Sequence, residues 1–187
     1  MSSADTSPYR LLVEGEDDQH VISNLLHEHN VDNWRLDYQE RSNVGPERIA
    51  ISYKKGVDPL LDDLEAELRR PGQECLGIVL DIDSSSEEVP GGVQSRWDSL
   101  LDRVRRTGSV FEAPEGPDVE GTDFTVYQPE RDLEVGVWLM PDNHTQGTLE
   151  DFLIEMIPDD DEMLQQARHC LEGVPENYGY RATEKTK

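Results

Sequence analysis

The sequence predicts an α/β fold, with a mostly parallel β-sheet and helices on both faces. Short apolar runs alternate along the chain with amphipathic stretches of helical period, which is typical of this class. The run at 75–83 is the most apolar in the chain and fits a central parallel strand that is buried on both sides. Three apolar runs end in acidic or polar clusters, and right-handed crossovers would bring those ends to one edge of the sheet.

The N-terminal part of the chain contains two predicted strands and two predicted helices. The strands are 9–13, a short apolar run, and 34–40, which alternates like a strand with one covered face. Each helix is predicted from an apolar stripe at helical spacing. The stripes are Val21, Ile22, Leu25 and Leu26 in the first helix, and Leu60, Leu61, Leu64 and Leu68 in the second. Residues 41–59 are predicted to form a loop, because glycine and proline punctuate a segment that carries four bases.

The C-terminal part continues the alternation after the strand at 75–83. A helix is predicted over 93–106 from its apolar stripe, a strand over 133–141, and a second helix over 148–157. The polar segment 111–124 is rich in glycine and proline and is predicted to be a loop. The end of the chain, 177–187, is predicted to be a frayed polar tail.

Length and composition limit the number of domains, the kinds of binding partner and the cellular compartment that we expect. The length of 187 residues suits a single domain over 1–187, with a core over about 9–157. The net charge of −24, from 41 acids and 17 bases, repels phosphate and anionic lipid on average. Only two cysteines are present, and no apolar stretch approaches the length of a membrane span. We therefore expect a soluble, cytoplasmic protein with reduced thiols and no membrane partner.

The acidic clusters that follow the apolar runs predict a site for a divalent cation. Glu14 follows the first strand, and Asp81 and Asp83 lie at the end of the most apolar one. Strand alternation would place both aspartates on one face. Mg²⁺ prefers oxygen ligands, and two such ions could clamp the attacking and leaving oxygens of a phosphodiester. The alternative is that such acids fall at strand ends by chance or cap helices, as Asp17 or Thr148 would.

Several segments in order resemble a known superfamily. "VEGEDDQHVI", "VLDIDSS", "RW" and "GVWLMPDN…GTLEDFL" are similar to a family of small TOPRIM-like proteins, distantly like the overcoming-lysogenization-defect nucleases. The resemblance covers most of residues 9–157 and implies a Rossmann-like TOPRIM fold, Mg²⁺ or Mn²⁺ as cofactor, and phosphodiester chemistry. It also implies that relatives extend beyond the point where this chain ends.

The resemblance assigns roles to individual acids. By position, Glu14 is the acid of the first strand, and Asp81 and Asp83 are the Asp-x-Asp pair. Asp18 corresponds to a second acid one helical turn later, and Glu150 corresponds to a late acid. Glu14, Asp18, Asp81, Asp83 and Glu150 are therefore the expected metal ligands.

Basic residues are scarce, and four of them fall in the predicted loop 41–59. These residues are Arg41, Arg48, Lys54 and Lys55, and together they predict a patch for a phosphate backbone on an otherwise acidic protein. Lys55 is expected to neutralise the reacting phosphate. The alternative is a set of ordinary solvated loop charges.

The leading functional hypothesis is a Mg²⁺- or Mn²⁺-dependent nuclease, or a related phosphodiester phosphotransferase, that acts on nucleic acid. Glu14, Asp81, Asp83 and Lys55 are its expected catalytic residues, and a metal-bound water is the expected nucleophile. The alternative is a non-catalytic or regulatory TOPRIM-like module that acts with a partner protein such as an ATPase. The complete acid set favours the enzyme, and the strong acidity favours the alternative.

Overall fold

The structure, a computed structural model, describes residues 7–36, 48–82, 92–118, 121–129 and 132–172. Seven strands form one sheet. They are β1 (Tyr9–Val13), β2 (Trp34–Leu36), β3 (Ile49–Tyr53), β4 (Cys75–Asp81), β5 (Val110–Glu112), β6 (Thr122–Tyr127) and β7 (Leu133–Met140). The helices are α1 (Glu16–Glu28), α2 (Val57–Leu68), α3 (Gly92–Arg106), α4 (Leu149–Glu155) and α5 (Glu162–Glu172).

The sheet is mostly parallel, in the order β2-β3-β1-β4-β7-β6-β5. The first five strands of this order pair in parallel, whereas β6 is antiparallel to β7 and β5 is antiparallel to β6. The predicted α/β class and mostly parallel sheet are thus confirmed. The parallel strands all end at one edge, called here the carboxyl edge.

Helices cover both faces of the sheet, and each face has its own apolar cluster. On one face, called the α2/α3 face, Leu12 and Leu80 pack with Leu64 of α2 and Trp97 of α3. On the other face, called the α1/α4 face, a second cluster lies nearer the carboxyl edge. Its strand residues include Val13, Val79 and Met140, and they pack with Val21 and Ile22 of α1 and with Leu149 and Phe152 of α4. Adjacent residues of a strand point to opposite faces, which is why Leu12 and Val13 belong to different clusters.

A parallel strand lies inside the segment that was predicted to be a loop. Residues 49–53 form β3, which pairs with β1 on one side and β2 on the other. The run Ile49-Ala50-Ile51-Ser52-Tyr53 is largely apolar, and Ala50 and Ile51 are fully buried. Glycine, proline and charged residues on either side of this run are typical of a loop, so the loop prediction for residues 49–53 was wrong.

The predicted loop 111–124 also contains strand residues. Its first two residues belong to β5 and its last three to β6, so the antiparallel margin of the sheet was not predicted. Glycine and proline between the two strands mark their connection rather than a structureless region. Among the described residues, no helix is long and apolar enough to cross a membrane.

Candidate functional site

Glu14 and Asp81 end neighbouring parallel strands at the carboxyl edge. Val13, the last residue of β1, is paired with Val79 of β4. Glu14 therefore lies one residue beyond this pair and Asp81 two residues beyond it, which places their Cα atoms roughly 6 Å apart. Asp81 is 8% exposed. The backbone positions of the first-strand acid and of the first aspartate in the Asp-x-Asp pair are therefore adjacent at the carboxyl edge.

The turn from β1 into α1 gives the local acids a structural role. The backbone N–H of Gly15 donates to Oδ2 of Asp18 at 2.7 Å, and this carboxylate is buried. A Cβ on residue 15 would lie 2.8 Å from the same oxygen, so a larger residue here would displace the Asp18 carboxylate. Glu16, Asp17 and Asp18 form the first turn of α1, where negative charge is favourable near the helix N-terminus. Asp18, rather than Asp17, makes the capping contact.

The end of β4 is joined to the start of α4. Oδ1 of Asp81 accepts a hydrogen bond from the backbone N–H of Leu149 at 3.1 Å. One residue later, Ile82 and Gly147 exchange two backbone hydrogen bonds of 2.9 and 3.0 Å. A Cβ on Gly147 would lie 2.9 Å from Cδ of Pro141 and from Oδ2 of Asp151, so this approach also requires glycine. Asp81 is consequently held in one place by the segment that follows β7.

Glu150 lies at the start of α4 and is exposed. Its Oε2 atom accepts a hydrogen bond of 2.7 Å from the hydroxyl of Thr148. The backbone N–H of Thr148 donates to Oδ2 of Asp151 at 2.8 Å, which caps the helix. The alternative role of Thr148 as a helix cap therefore has a structural basis, and Glu150 belongs to the same group of contacts.

Asn143 is a buried polar residue close to the candidate site, and the sequence analysis did not single it out. It is fully buried, and its φ of +64° is in the left-handed region that Asn tolerates better than most residues. Its Oδ1 atom accepts a 2.6 Å hydrogen bond from the N–H of Leu139, while Nδ2 has no hydrogen-bond partner among the described residues. The feature of the sequence that could have identified Asn143 is the polar segment Pro141-Asp142-Asn143, which directly follows a buried strand.

Asp142 organises the loop beyond β7. Its Oδ1 atom accepts from the N–H groups of His144 and Thr145, at 2.9 and 2.7 Å, and from the Thr145 hydroxyl at 3.0 Å. Burial acts to raise the pKa of Asp142, but these hydrogen bonds outweigh it and the pKa is lowered overall. This carboxylate therefore stays ionised and fixes the loop.

The structure separates the basic residues that were predicted to form one patch. Lys54 and Lys55 follow β3 at the carboxyl edge, but Arg48 precedes β3 at the opposite edge. A strand rises by about 3.3 Å per residue, so Arg48 lies roughly 20 Å from the two lysines. Arg41 and Asp83 lie outside the described residues.

The two lysines differ in their surroundings. Nζ of Lys54 lies 3.1 Å from Asp63 and 3.5 Å from Glu67 of α2, so its charge is already balanced. Lys55 is exposed, and its φ is +55°. The residue after it, Gly56, donates its N–H to the carbonyl of Glu14 at 2.9 Å. Lys55 is therefore the predicted basic residue that lies exposed beside Glu14.

A complete set of metal ligands is not assembled by the described residues alone. Within them, no group of three or more His, Cys, Asp and Glu side chains is close enough to hold a metal ion. That set includes Glu14, Asp18, Asp81 and Glu150 but not Asp83. Glu14 and Asp81 are brought to neighbouring strand ends, whereas Asp18 and Glu150 cap or border the helices that follow.

Nearly the whole chain matches the model of one protein family. Residues 8–187 match the model of a family described as "Protein of unknown function (DUF3226)". The chain belongs to this family. No curated protein and no solved structure matches it. The description of the DUF3226 family names no activity.

Proposed function

We propose that this DUF3226 protein is a Mg²⁺- or Mn²⁺-dependent nuclease, or a related phosphodiester phosphotransferase, with its site at the carboxyl edge. One observation carries the proposal. Parallel pairing of β1 and β4 puts Glu14 and Asp81 at the ends of neighbouring central strands. Ligands of parallel α/β sheets bind outside such strand ends. The finer proposal is that the sheet is a Rossmann-like TOPRIM fold.

The donor set fits a hard divalent cation. Mg²⁺ is commonly held by one or two carboxylates and completes its shell with water and substrate phosphate. Glu14 and Asp81 supply two carboxylates, and Asp83 follows Asp81 by two residues. The hydrogen bond from Leu149 to Asp81 does not exclude a cation, because a carboxylate has about four acceptor positions.

The five acids divide into two groups in this proposal. Glu14, Asp81 and Asp83 are the proposed ligands. Asp18 and Glu150 are better suited to fixing the turns around the site, since Asp18 accepts a hydrogen bond from the Gly15 N–H and Glu150 accepts one from the Thr148 hydroxyl. Side chains placed in this way orient the metal ligands without touching the metal.

The chain's own residues would position and neutralise the substrate. A bound cation would supply positive charge to the phosphate oxygens as negative charge develops on them. Lys55 would pair with the same phosphate from the end of β3. Asn143 would hold the turn that follows β7 in place through the hydrogen bond that its Oδ1 atom accepts from Leu139.

A second candidate function, a regulatory module that acts with a partner such as an ATPase, is favoured by the other uses of the same acids. Asp18 and Asp81 both accept hydrogen bonds that join elements of the fold. Lys54 is paired with acids of α2, and the net charge of −24 opposes binding of nucleic acid. In this role the acids would be structural and no cleavage would occur.

The deciding experiment is cleavage of single- and double-stranded DNA and RNA in the presence of Mn²⁺. We expect Asp81→Asn and Asp83→Asn to abolish cleavage. The asparagine at 81 can still accept the Leu149 hydrogen bond, so the fold contact survives while the charge is lost. The matched control is Glu65→Gln, an exposed acid of α2 that should retain full activity. Full activity in both aspartate variants, with unchanged circular dichroism, would contradict the enzyme proposal.

A further inference from the structure

Part of the sheet on the α1/α4 face has no described helix packed over it. The open sheet face is the stretch of β4, β7, β6 and β5 on that side, from the paired Gly77 and Gly136 to the exposed Val110 and Tyr127. Helix α1 packs against β1 and β3, and α4 packs against β7 near the carboxyl edge. Val110 is 69% exposed and Tyr127 is 39% exposed, so apolar surface remains in contact with solvent.

The open sheet face contains a cavity of about 410 Å³. Gly77 and Gly136 form its floor, and Leu11 and Trp138 line its sides. A Cβ added to Gly136 would meet no atom within 4 Å, which shows how much room lies above that strand position. The space above Gly77 is taken by Leu11, whose Cδ1 would lie 2.6 Å from a Cβ there, whereas the absence of a side chain at Gly136 lets another element approach the sheet closely.

Helix α5 carries the complementary apolar surface. None of its residues is buried, although its sequence has a clean apolar stripe. The stripe consists of Met163, Leu164, Ala167, Cys170 and Leu171, which helical spacing places on one side. Met163 is 79% exposed and Leu171 is 66% exposed. Large exposed hydrophobic residues among the described positions thus lie either on the open sheet face or on α4, α5 and their connection.

Charges bordering the two surfaces are opposite in sign. The open sheet face carries Glu112, Asp123 and Glu134, and none of its described strand positions is a lysine or arginine. By helical spacing, Arg168 borders the apolar stripe of α5, whereas Glu162 and Glu172 lie on the far side of the helix. If α5 packs on the open sheet face, Arg168 lies near the acidic residues of the sheet, whereas Glu162 and Glu172 point away from them.

We propose that α5 of a second copy packs on the open sheet face and that two copies exchange these helices to form a symmetric dimer. Within one copy, α5 buries no residue against the body, so its stripe is available to another molecule. Because both surfaces belong to the same chain, a reciprocal exchange closes the assembly and covers both pairs of surfaces.

The first test is the mass of the protein in solution, measured by light scattering after size-exclusion chromatography. High salt should be used, because two chains of charge −24 repel at low ionic strength. We expect a wild-type mass twice the 21.3 kDa of one chain. Leu171→Glu on α5 should give the monomer, and so should Gly136→Leu, which fills the cavity floor. His169→Glu adds the same charge to the opposite side of α5 and should remain dimeric.

The second test uses the chain's two cysteines. Cys75 begins β4 on the open sheet face, and Cys170 lies in the α5 stripe; both are exposed. A short bismaleimide should link Cys75 of one copy to Cys170 of the other. The reaction should be run at mildly alkaline pH, because partial burial of the thiol and the charges of Glu134 and Glu74 raise the pKa of Cys75.

Three results would overturn the dimer. One is a wild-type monomer at every concentration, and another is a dimer that survives both Leu171→Glu and Gly136→Leu. The third is a Cys75–Cys170 link within a monomer, which would mean that α5 packs on its own sheet. If Gly136→Leu fails to fold, Leu171→Glu decides, since Leu171 is exposed and its replacement leaves the core intact.

Discussion

At the scale of single residues, Glu67 of α2 is a buried carboxylate on which three bases converge. Its Oε2 atom lies 3.0 Å from Nε of Arg10 and 3.0 Å from Nε of Arg70, and Oε1 lies 3.5 Å from Nζ of Lys54. The side chains of Arg10 and Glu67 are only 3% and 5% exposed. Arg10 reaches this position because it belongs to β1, beside Leu12 on the same face of the strand.

Loss of the Glu67 charge should destabilise the protein strongly. Glu67→Gln removes a buried counter-charge that lies 3.0 Å from the guanidinium of Arg10, and breaking a buried ion pair in this way costs about 3 kcal/mol or more. The free energy of unfolding, measured by urea denaturation, should fall by that amount. Glu65→Gln breaks an exposed pair with Arg69 on the same helix and should cost less than about 1 kcal/mol. Equal effects of the two variants would contradict the interpretation of a buried cluster.

Lys55 should be the lysine that contributes to binding of nucleic acid. Lys55→Asn removes the charge while keeping a residue that tolerates a left-handed backbone. The slope of log K against log salt should fall by roughly 0.7–0.9 if one phosphate contact is lost. Arg48→Gln, at the opposite edge of the sheet, should leave the slope unchanged. An unaltered slope in Lys55→Asn would assign this lysine to ordinary solvated loop charge.

At the scale of structural elements, the loop between β7 and α4 should contribute a pH-dependent part of the stability. The pKa of Asp142 is lowered in the folded protein, because its hydrogen bonds from Thr145 and His144 outweigh the effect of burial. A lowered pKa stabilises the fold above the unfolded value, which is about 3.9 for aspartate. That contribution is lost as the pH falls below about 4 and through the folded pKa.

Asp142→Asn isolates this contribution. At neutral pH the wild type should be more stable than the variant, and the difference should shrink as the pH falls below about 4. Urea denaturation of both proteins over a series of pH values measures the difference directly. A gap that stays constant down to the acid limit would show that the charge of Asp142 does not stabilise the loop.

Elements that bury an apolar stripe were predictable from sequence, and elements defined by their neighbours were not. The stripes Leu60–Leu68 and Trp97–Val104 predicted α2 and α3, and both helices pack in the core. Strand β3 was hidden because its five residues lie between glycine, proline and charged positions. Strand β5 has three residues and an exposed Val110, so no local pattern distinguishes it from a loop. The three residues of β5 form a strand because they pair with β6.

The backbone positions at the candidate site were predictable in part for the same reason. Glu14 and Asp81 follow strongly apolar strands, so the parallel topology alone brings their backbones together. Local contacts decide the rest, and spacing does not reveal them. Asp18 caps α1 through Gly15, and Lys54 is paired with α2, although both looked available for a ligand in the sequence. Asn143 was overlooked because its importance lies in complete burial, which follows from tertiary packing.

At the scale of the whole molecule, the net charge of −24 sets the conditions for every experiment with cations. A surface of this charge collects divalent ions without any specific site, and nucleic acid is repelled unless salt or a bound metal offsets the field. A stabilising effect of Mg²⁺ is therefore informative only against a background of high monovalent salt and only when compared with variants of the proposed ligands.

Direct binding of Mn²⁺, measured by electron paramagnetic resonance in high NaCl, tests the central claim most directly. The wild type should bind Mn²⁺ at the carboxyl edge under conditions that suppress non-specific binding. Glu14→Gln and Asp81→Asn should each weaken the affinity by at least about tenfold, because each removes a charged oxygen ligand. Glu65→Gln should bind as the wild type does. Equal binding by all four proteins would mean that the ion only screens an acidic surface, and would contradict a metal site between β1 and β4.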